Sequence, residues 1–102
     1  MDEPPIVVTA PIRFAGDKAK EFGDQLRSSL DRGQVVIADL TTTWVCDLNA
    51  VGELRTVSEL ATGAARELRI VVASTSIMHQ FALAGIDGQL RVYPSVALAM
   101  RP

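Results

Sequence analysis

An aspartate, an asparagine and a glycine stand close together in VCDLNAVGEL, Val45 to Leu54, where a loop turns into a helix. Asp47, Asn49 and Gly52 at a helix start can satisfy free backbone N–H groups, receive an anion or present a docking surface. Acid–base or nucleophilic chemistry needs more than this. His79 is the only histidine; it falls on an amphipathic helix as a solvated residue, and no spacing sets a serine or cysteine nucleophile beside it. A small hydrolase built on Asp47 and His79 is therefore the poorest reading. Cys46 is the only cysteine, so it forms no internal disulfide, has no second thiol to resolve an oxidised state, and reads as a small buried hydrophobe. No Cys/His cluster has metal-ligand spacing, and no Walker motif occurs. Gly85-Ile86-Asp87-Gly88 is too short for a dinucleotide loop and follows a helix rather than a strand. The expectation is a chain with no catalytic residues, no cofactor and no metal.

Composition narrows the classes further. A chain of 102 residues that is 48% hydrophobic can bury one core and little else, so a single domain is expected across residues 1–102. The formal net charge is −2 and the arginines are scattered, which argues against a nucleic-acid partner. The start, MDEPPIVV, is acidic where a signal peptide is basic, and no apolar run approaches the roughly 20 residues that cross a bilayer. No membrane insertion is expected, and with a single cysteine the expected location is the cytoplasm.

Periodicity places the elements that must position the junction. PPIVVTAPI is β-branched with prolines at both ends, as suits an edge strand. From Gly16 to Arg32, Ala19, Phe22, Leu26 and Leu30 recur at helical spacing, and Gly33 follows as a left-handed C-terminal cap. QVVIADL, Gln34 to Leu40, is almost wholly apolar, as strands covered on both faces are. A second helix is expected from Asn49 to Glu67, its stripe formed by Val51, Leu54, Val57, Leu60 and Ala61. LRIVVA follows as another buried strand, then SIMHQFALAG as a helix closed by Gly85, LRVYP as a short strand and SVALAM as a terminal helix. Strands alternating with helices call for right-handed crossovers and parallel pairing, hence an α/β fold with a small mixed sheet packed by helices. In such sheets the functional crevice lies outside the carboxyl ends of the parallel strands, where the segment Thr41 to Cys46 delivers the junction.

Asp39-Leu40-Thr41, Asp47-Leu48-Asn49-Ala50-Val51-Gly52, Leu68 to Ser74, Ala84-Gly85-Ile86 and Val92-Tyr93-Pro94-Ser95 occur in the order of a known pattern. On these residues the chain resembles the STAS domains of bacterial anti-sigma factor antagonists, over about two-thirds of its length. The resemblance implies a STAS-like single domain and a protein-binding role: docking onto an anti-sigma factor of the histidine-kinase-like ATPase type, which releases a sigma factor. The same fold also implies a second role, as a STAS accessory subunit of a bacterial lipid-transport ABC system. Antagonists of the first kind carry a phosphorylatable serine or threonine where this chain has Asn49, and a phosphate there breaks the complex. Leu48 replaces a neighbouring serine and Ala50 a glycine, so only Asp47 and Gly52 survive from that motif. Asn49 cannot accept a phosphoryl group; it either holds the docking form permanently or is simply a helix cap on a chain without that switch.

The resulting partner surface comprises Trp44, Asp47, Leu48, Asn49, Ala50, Val51, Gly52 and Glu53, with Ser74, Thr75 and Ser76 beside them. Several of these residues have two readings. Asn49 can cap the helix through its amide oxygen. Asp47 is a cap or a charged contact; Gly52 allows close approach either within the domain or by a partner; Trp44 is a partner anchor or a lid on the core. Thr41-Thr42-Thr43 is read as turn chemistry rather than a set of modification sites. Charge reversal at Glu53 is expected to weaken docking and leave melting unchanged.

Overall fold

Val36, Ile37 and Ala38 have no exposed surface, and neither do Ile70 and Val71; strands covered on both faces lie at the centre of a layered sheet. The computed structural model, which describes residues 3–85 and 88–101, runs β1 (Ile6–Thr9), β2 (Arg13–Phe14), α1 (Asp17–Leu30), β3 (Val35–Asp39), β4 (Val45–Cys46), α2 (Leu48–Gly63), β5 (Glu67–Val71), α3 (Thr75–Leu83), β6 (Arg91–Tyr93) and α4 (Val96–Ala99). The main sheet has the order β1-β3-β5-β6. β1, flanked by its prolines, takes the edge as expected, and β3 and β5 occupy the centre.

The α/β class and the crossovers are as read from the sequence; the sheet itself is parallel throughout the described residues rather than mixed. The reason lies in the connections. Each strand of the sheet is followed by a helix that carries the chain back to the same end, so the next strand runs the same way. Ile6 pairs with Val36 and Val36 with Leu68, which aligns alternate residues of adjacent strands on one face. A second, two-residue ladder joins β2 to β4, Arg13 beside Val45 and Phe14 beside Cys46. Its β4 lies within the connecting segment Thr41 to Cys46, and its β2 between the first expected strand and the first expected helix, where nothing in the sequence marks a strand.

The larger core lies between the sheet and α1, α2 and α3. Phe22, Leu26 and Leu30 from α1 and Val51, Leu54, Val57 and Ala61 from α2 meet Val36, Ala38, Leu68 and Ile70 there. Phe14 packs edge-on against Phe22, ring centroids 5.1 Å apart at 81°. On the opposite face, Ala99 and Val96 of α4 cover Ile37 and Val71.

Three boundary expectations are corrected. Gly33 is not in the left-handed region; α1 ends at Asp31 in right-handed geometry. Gly33 instead packs closely on Ile6: a Cβ there would lie 2.8 Å from Ile6 Cδ1, and the end of that side chain would have to turn aside. α2 stops at Gly63, not Glu67, because Ala65 turns to φ 57° and Glu67 is already paired with Val35 in the sheet. Leu60, assigned to the buried stripe, is exposed; α2 turns its buried stripe through Val57 and Ala61 instead. Gly85 does close α3 at φ 71°, while Ile86 and Asp87 lie outside the described residues.

One charged side chain ties the smaller face together. Arg69, 9% exposed, donates from its guanidinium to the carbonyls of Ala99 at 2.6 Å and Arg101 at 2.7 Å and to the Glu67 carboxylate. Its guanidinium carbon lies 5.9 Å from the Tyr93 ring centre. The carbonyls at the end of a helix lack intrahelical partners, and a planar fork of donors suits them better than a point charge.

Candidate functional site

The loops leaving β1 and β3 are locked together before the chain reaches the junction. The Asp39 carboxylate accepts from the Thr41 N–H at 2.9 Å, and buried Thr43 donates its hydroxyl to the Pro11 carbonyl at 3.0 Å. Trp44 N–H donates to the Ile12 carbonyl at 2.8 Å. The threonine run thus serves turn geometry at its two ends, consistent with the short polar side chains found where strands turn.

Asp47 is the cap of α2. Its backbone is extended, φ −93° and ψ −179°, and its carboxylate accepts from the Ala50 N–H at 2.8 Å and from the Gly16 N–H at 3.1 Å. One side chain therefore joins the starts of α2 and α1, with Gly16 at φ 56°, a conformation in which a side chain is disfavoured. This corrects the expectation for Asn49. Asn49 lies inside the first turn, one residue past Leu48, with helical geometry that leaves no room for a cap role. It is exposed, near the positive end of the helix dipole.

Between the two helix starts lies an open groove of about 500 Å³, lined by Gly16, Asp17, Ala19 and Lys20 on one side and Leu48, Asn49, Gly52, Glu53 and Thr56 on the other. The contributions of Gly16, Asp17, Lys20 and Thr56 were not visible in the sequence. Gly52 has open space where a Cβ would stand, with nothing within 4 Å, so packing inside the domain does not explain it. Glycine within a helix costs about 1 kcal/mol relative to alanine. Gly52→Ala is therefore expected to raise stability by roughly 0.5–1 kcal/mol in urea denaturation; an unchanged or lower midpoint would show that the site is not open.

Glu53 borders the groove but is anchored to α1. Its carboxylate meets Arg27 at 2.8 Å, and Arg27 also holds Asp24 at 2.9 Å. A Cβ on Gly23 would collide with that carboxylate, so the glycine makes room for the pair. Glu53→Lys would set a second cation against Arg27. The unchanged melting expected from sequence is thus corrected to a loss of stability.

Beside the groove stands an apolar ridge. Trp44 is 83% exposed, Leu48 74% and Ile12 65%, with Val45 also exposed. Trp44 is not a lid on the core. Ile12 was missed in the sequence because it reads as the end of a β-branched strand; Pro11 cannot donate to the ladder, and the chain leaves the sheet there. Ala50 and Val51, assigned to the partner surface, are buried against the core and present nothing to a partner. Their apolar side chains fall on the stripe of α2 that faces the sheet. The Ser74 hydroxyl caps α3, accepting from the Ile77 N–H at 3.3 Å. Thr75 and Ser76 are exposed at the same end of the sheet, but none of the three lines the groove.

Cys46 is buried behind the junction. Burial, and secondarily the charge of Asp47, push its thiol from 9.0 up to about 11, so at neutral pH it is neither nucleophile nor ready metal ligand. Two units correspond to a hundredfold lower thiolate fraction, about, at a given pH. Native protein at pH 8 is expected to resist a disulfide-exchange thiol reagent that reacts promptly in denaturant; equal rates would contradict the burial. His79 is exposed on α3. Among the described residues no group of three or more His, Cys, Asp or Glu could hold a metal ion, and no helix is long and apolar enough to cross a membrane.

No family model matches the chain, and no curated protein matches it. Among solved structures, the NMR structure of the protein TM1081 superposes with a TM-score of 0.81 over 94% of this chain and 78% of that one, at 13% sequence identity. At that identity the likeness shows the fold alone: the chain has the small α/β architecture of TM1081.

Proposed function

We propose that this chain is a protein-binding regulator of the anti-sigma factor antagonist kind, which docks onto an anti-sigma factor of the histidine-kinase-like ATPase type and performs no catalysis itself. The observation that carries the reading is the pairing of an open groove at Asn49 with the exposed ridge of Ile12, Trp44 and Leu48. Large exposed apolar side chains rimmed by polar groups are costly in water and characteristic of docking surfaces. Asn49 stands where the resembling antagonists carry a phosphorylatable hydroxyl, so the first turn of α2 keeps its neutral docking form. The lipid-transport reading predicts a different partner on the same fold.

Trp44 is the only tryptophan, so its fluorescence reports docking directly. Titration with a purified anti-sigma ATPase, one captured by the chain from extracts of its own cells, is expected to shift Trp44 emission to the blue as the indole leaves water. Capture of a transporter ATPase would favour the second reading. An anti-sigma ATPase that binds without changing Trp44 emission would remove the ridge from the interface.

A further inference from the structure

We propose that two copies of this chain join through the free edge of β1, paired antiparallel about a two-fold axis at Val8, so that their sheets run on as one. β1 has a neighbour on one side only. The Ala10 N–H donates to the Asp39 carbonyl at 2.8 Å, and in a parallel ladder the backbone groups of alternate residues turn to opposite sides. Ile6 and Val8 therefore face β3 as Ala10 does, and Val7 and Thr9 turn their N–H and C=O groups to the open edge. Such a row accepts another strand unless charge, a bulge or a covering segment blocks it. Ile6 to Ala10 carries no charge, and Val7 is 41% exposed.

The edge is complementary to itself, which selects a second copy as its occupant. With the axis at Val8, Val7 of each copy stands opposite Thr9 of the other. Each such pair exchanges both of its N–H···O=C bonds. Pro5 then falls opposite Pro11, and since neither has an N–H, the ladder ends without an orphaned donor. Centring the pair on Val7 or Thr9 instead would set the other of these two residues against a proline and leave its carbonyl without a donor. The charges beside the edge follow the same symmetry. A groove of about 460 Å³ runs between β1 and α1, and exposed Asp24, Gln25, Ser28 and Arg32 form its helical wall. Asp24 and Arg32 lie four residues to either side of Ser28. The two-fold axis reverses α1, so Asp24 of each copy is brought toward Arg32 of the other. Arg32 has no carboxylate partner among the described residues, and opposite charges of this kind fix orientation and register more than affinity. This groove shares no lining residue with the one between the starts of α1 and α2, so the dimer leaves the docking groove open.

The test is sedimentation equilibrium of the parent chain from micromolar to near-millimolar concentration, with amide exchange measured at both ends of that range. A reversible monomer–dimer equilibrium is expected. Dilution is expected to release the amides of Val7 and Thr9 to exchange and to leave those of Val8 and Ala10, bonded to β3, protected. Val7→Pro removes a donor that has no partner within one copy, as an edge strand tolerates, and is expected to dimerise at least about tenfold more weakly. Asp24→Arg and Arg32→Asp are each expected to weaken the dimer, and the double variant, which exchanges the two charges, to restore it. Should Val7→Pro fail to fold, the charge exchange at these exposed positions decides alone. A parent that stays monomeric, a dimer indifferent to Val7→Pro, Val7 and Thr9 amides that exchange alike at both concentrations, or a double variant no better than the single ones would each overturn the proposal. The docking reading would stand in every case, since it concerns another face of the molecule.

Discussion

Asn49→Asp is expected to bind the anti-sigma ATPase at least about tenfold more weakly, roughly 1.4 kcal/mol, while melting no lower than the parent. The two halves of this expectation come from one location. Asn49 lies in the first turn of α2 and is exposed on the groove. A carboxylate near a helix N-terminus interacts favourably with the dipole, by about 0.3–1 kcal/mol, so folding gains slightly or is unchanged. A docked partner would have to desolvate that same charge, next to Asp17 and Glu53 on the groove wall, and a buried unpaired charge is costly. Since Asp47 supplies the cap through its own carboxylate, the substitution leaves the cap intact and isolates the added charge. Titration by Trp44 emission and thermal melting measure the two quantities separately. Full affinity in Asn49→Asp would place the start of α2 outside the docking surface and remove the main support for the proposed function.

The largest effect on stability is expected far from the groove, at Arg69. Arg69→Met should destabilise the fold by about 3 kcal/mol, lowering Tm by roughly 10 °C or more. Methionine matches the apolar stem but leaves the carbonyls of Ala99 and Arg101 without the donor they now have. Glu67 keeps only the more exposed Arg91, at 3.5 Å. α4 is a single turn, too short to persist without tertiary contacts, so losing its clamp should free it and open Ile37 and Val71 to water. Arg69→Lys is not expected to rescue, because one ammonium cannot reproduce the fork that spans two carbonyls and a carboxylate. Denaturant unfolding gives the stability, and amide exchange in β3, β5 and α4 locates the loss. A midpoint within error of the parent, or unchanged protection in α4, would show that the clamp carries no weight.

The contrast between these two sites tracks what could be read before the fold was known. Arg69 lies within a run, LRIVVA, that announces a buried strand, yet nothing local marks one arginine in that run as a buried clamp. Its partners are 30 and 32 residues away at Ala99 and Arg101. The Asp47 cap shows the reverse. An acidic residue before an apolar helical stripe is a local signal, and capping was one of its two readings. Its second bond, to Gly16 across 31 residues, was not legible, and neither was the groove which that bond helps to shape.

Periodicity and turn residues by themselves determined the class of the fold, the order of the four strands of the main sheet and the helices between them, the edge position of β1 and the closure of α3 by Gly85. Those features follow from which residues repeat at intervals of two or near 3.6, and that information is local. Tertiary structure decided the rest. It made the sheet parallel throughout the described residues, buried Ala50 and Val51 while leaving Leu48 and Trp44 in water, bonded Asp47 to Gly16, and tied Glu53 to Arg27. It also set Gly33 against Ile6 rather than at a left-handed cap and placed Gly52 and Thr56 on an open wall. Each of these depends on which distant atoms stand beside a residue once the layers close, and a periodicity of side chains along one element carries no record of its neighbours across the core.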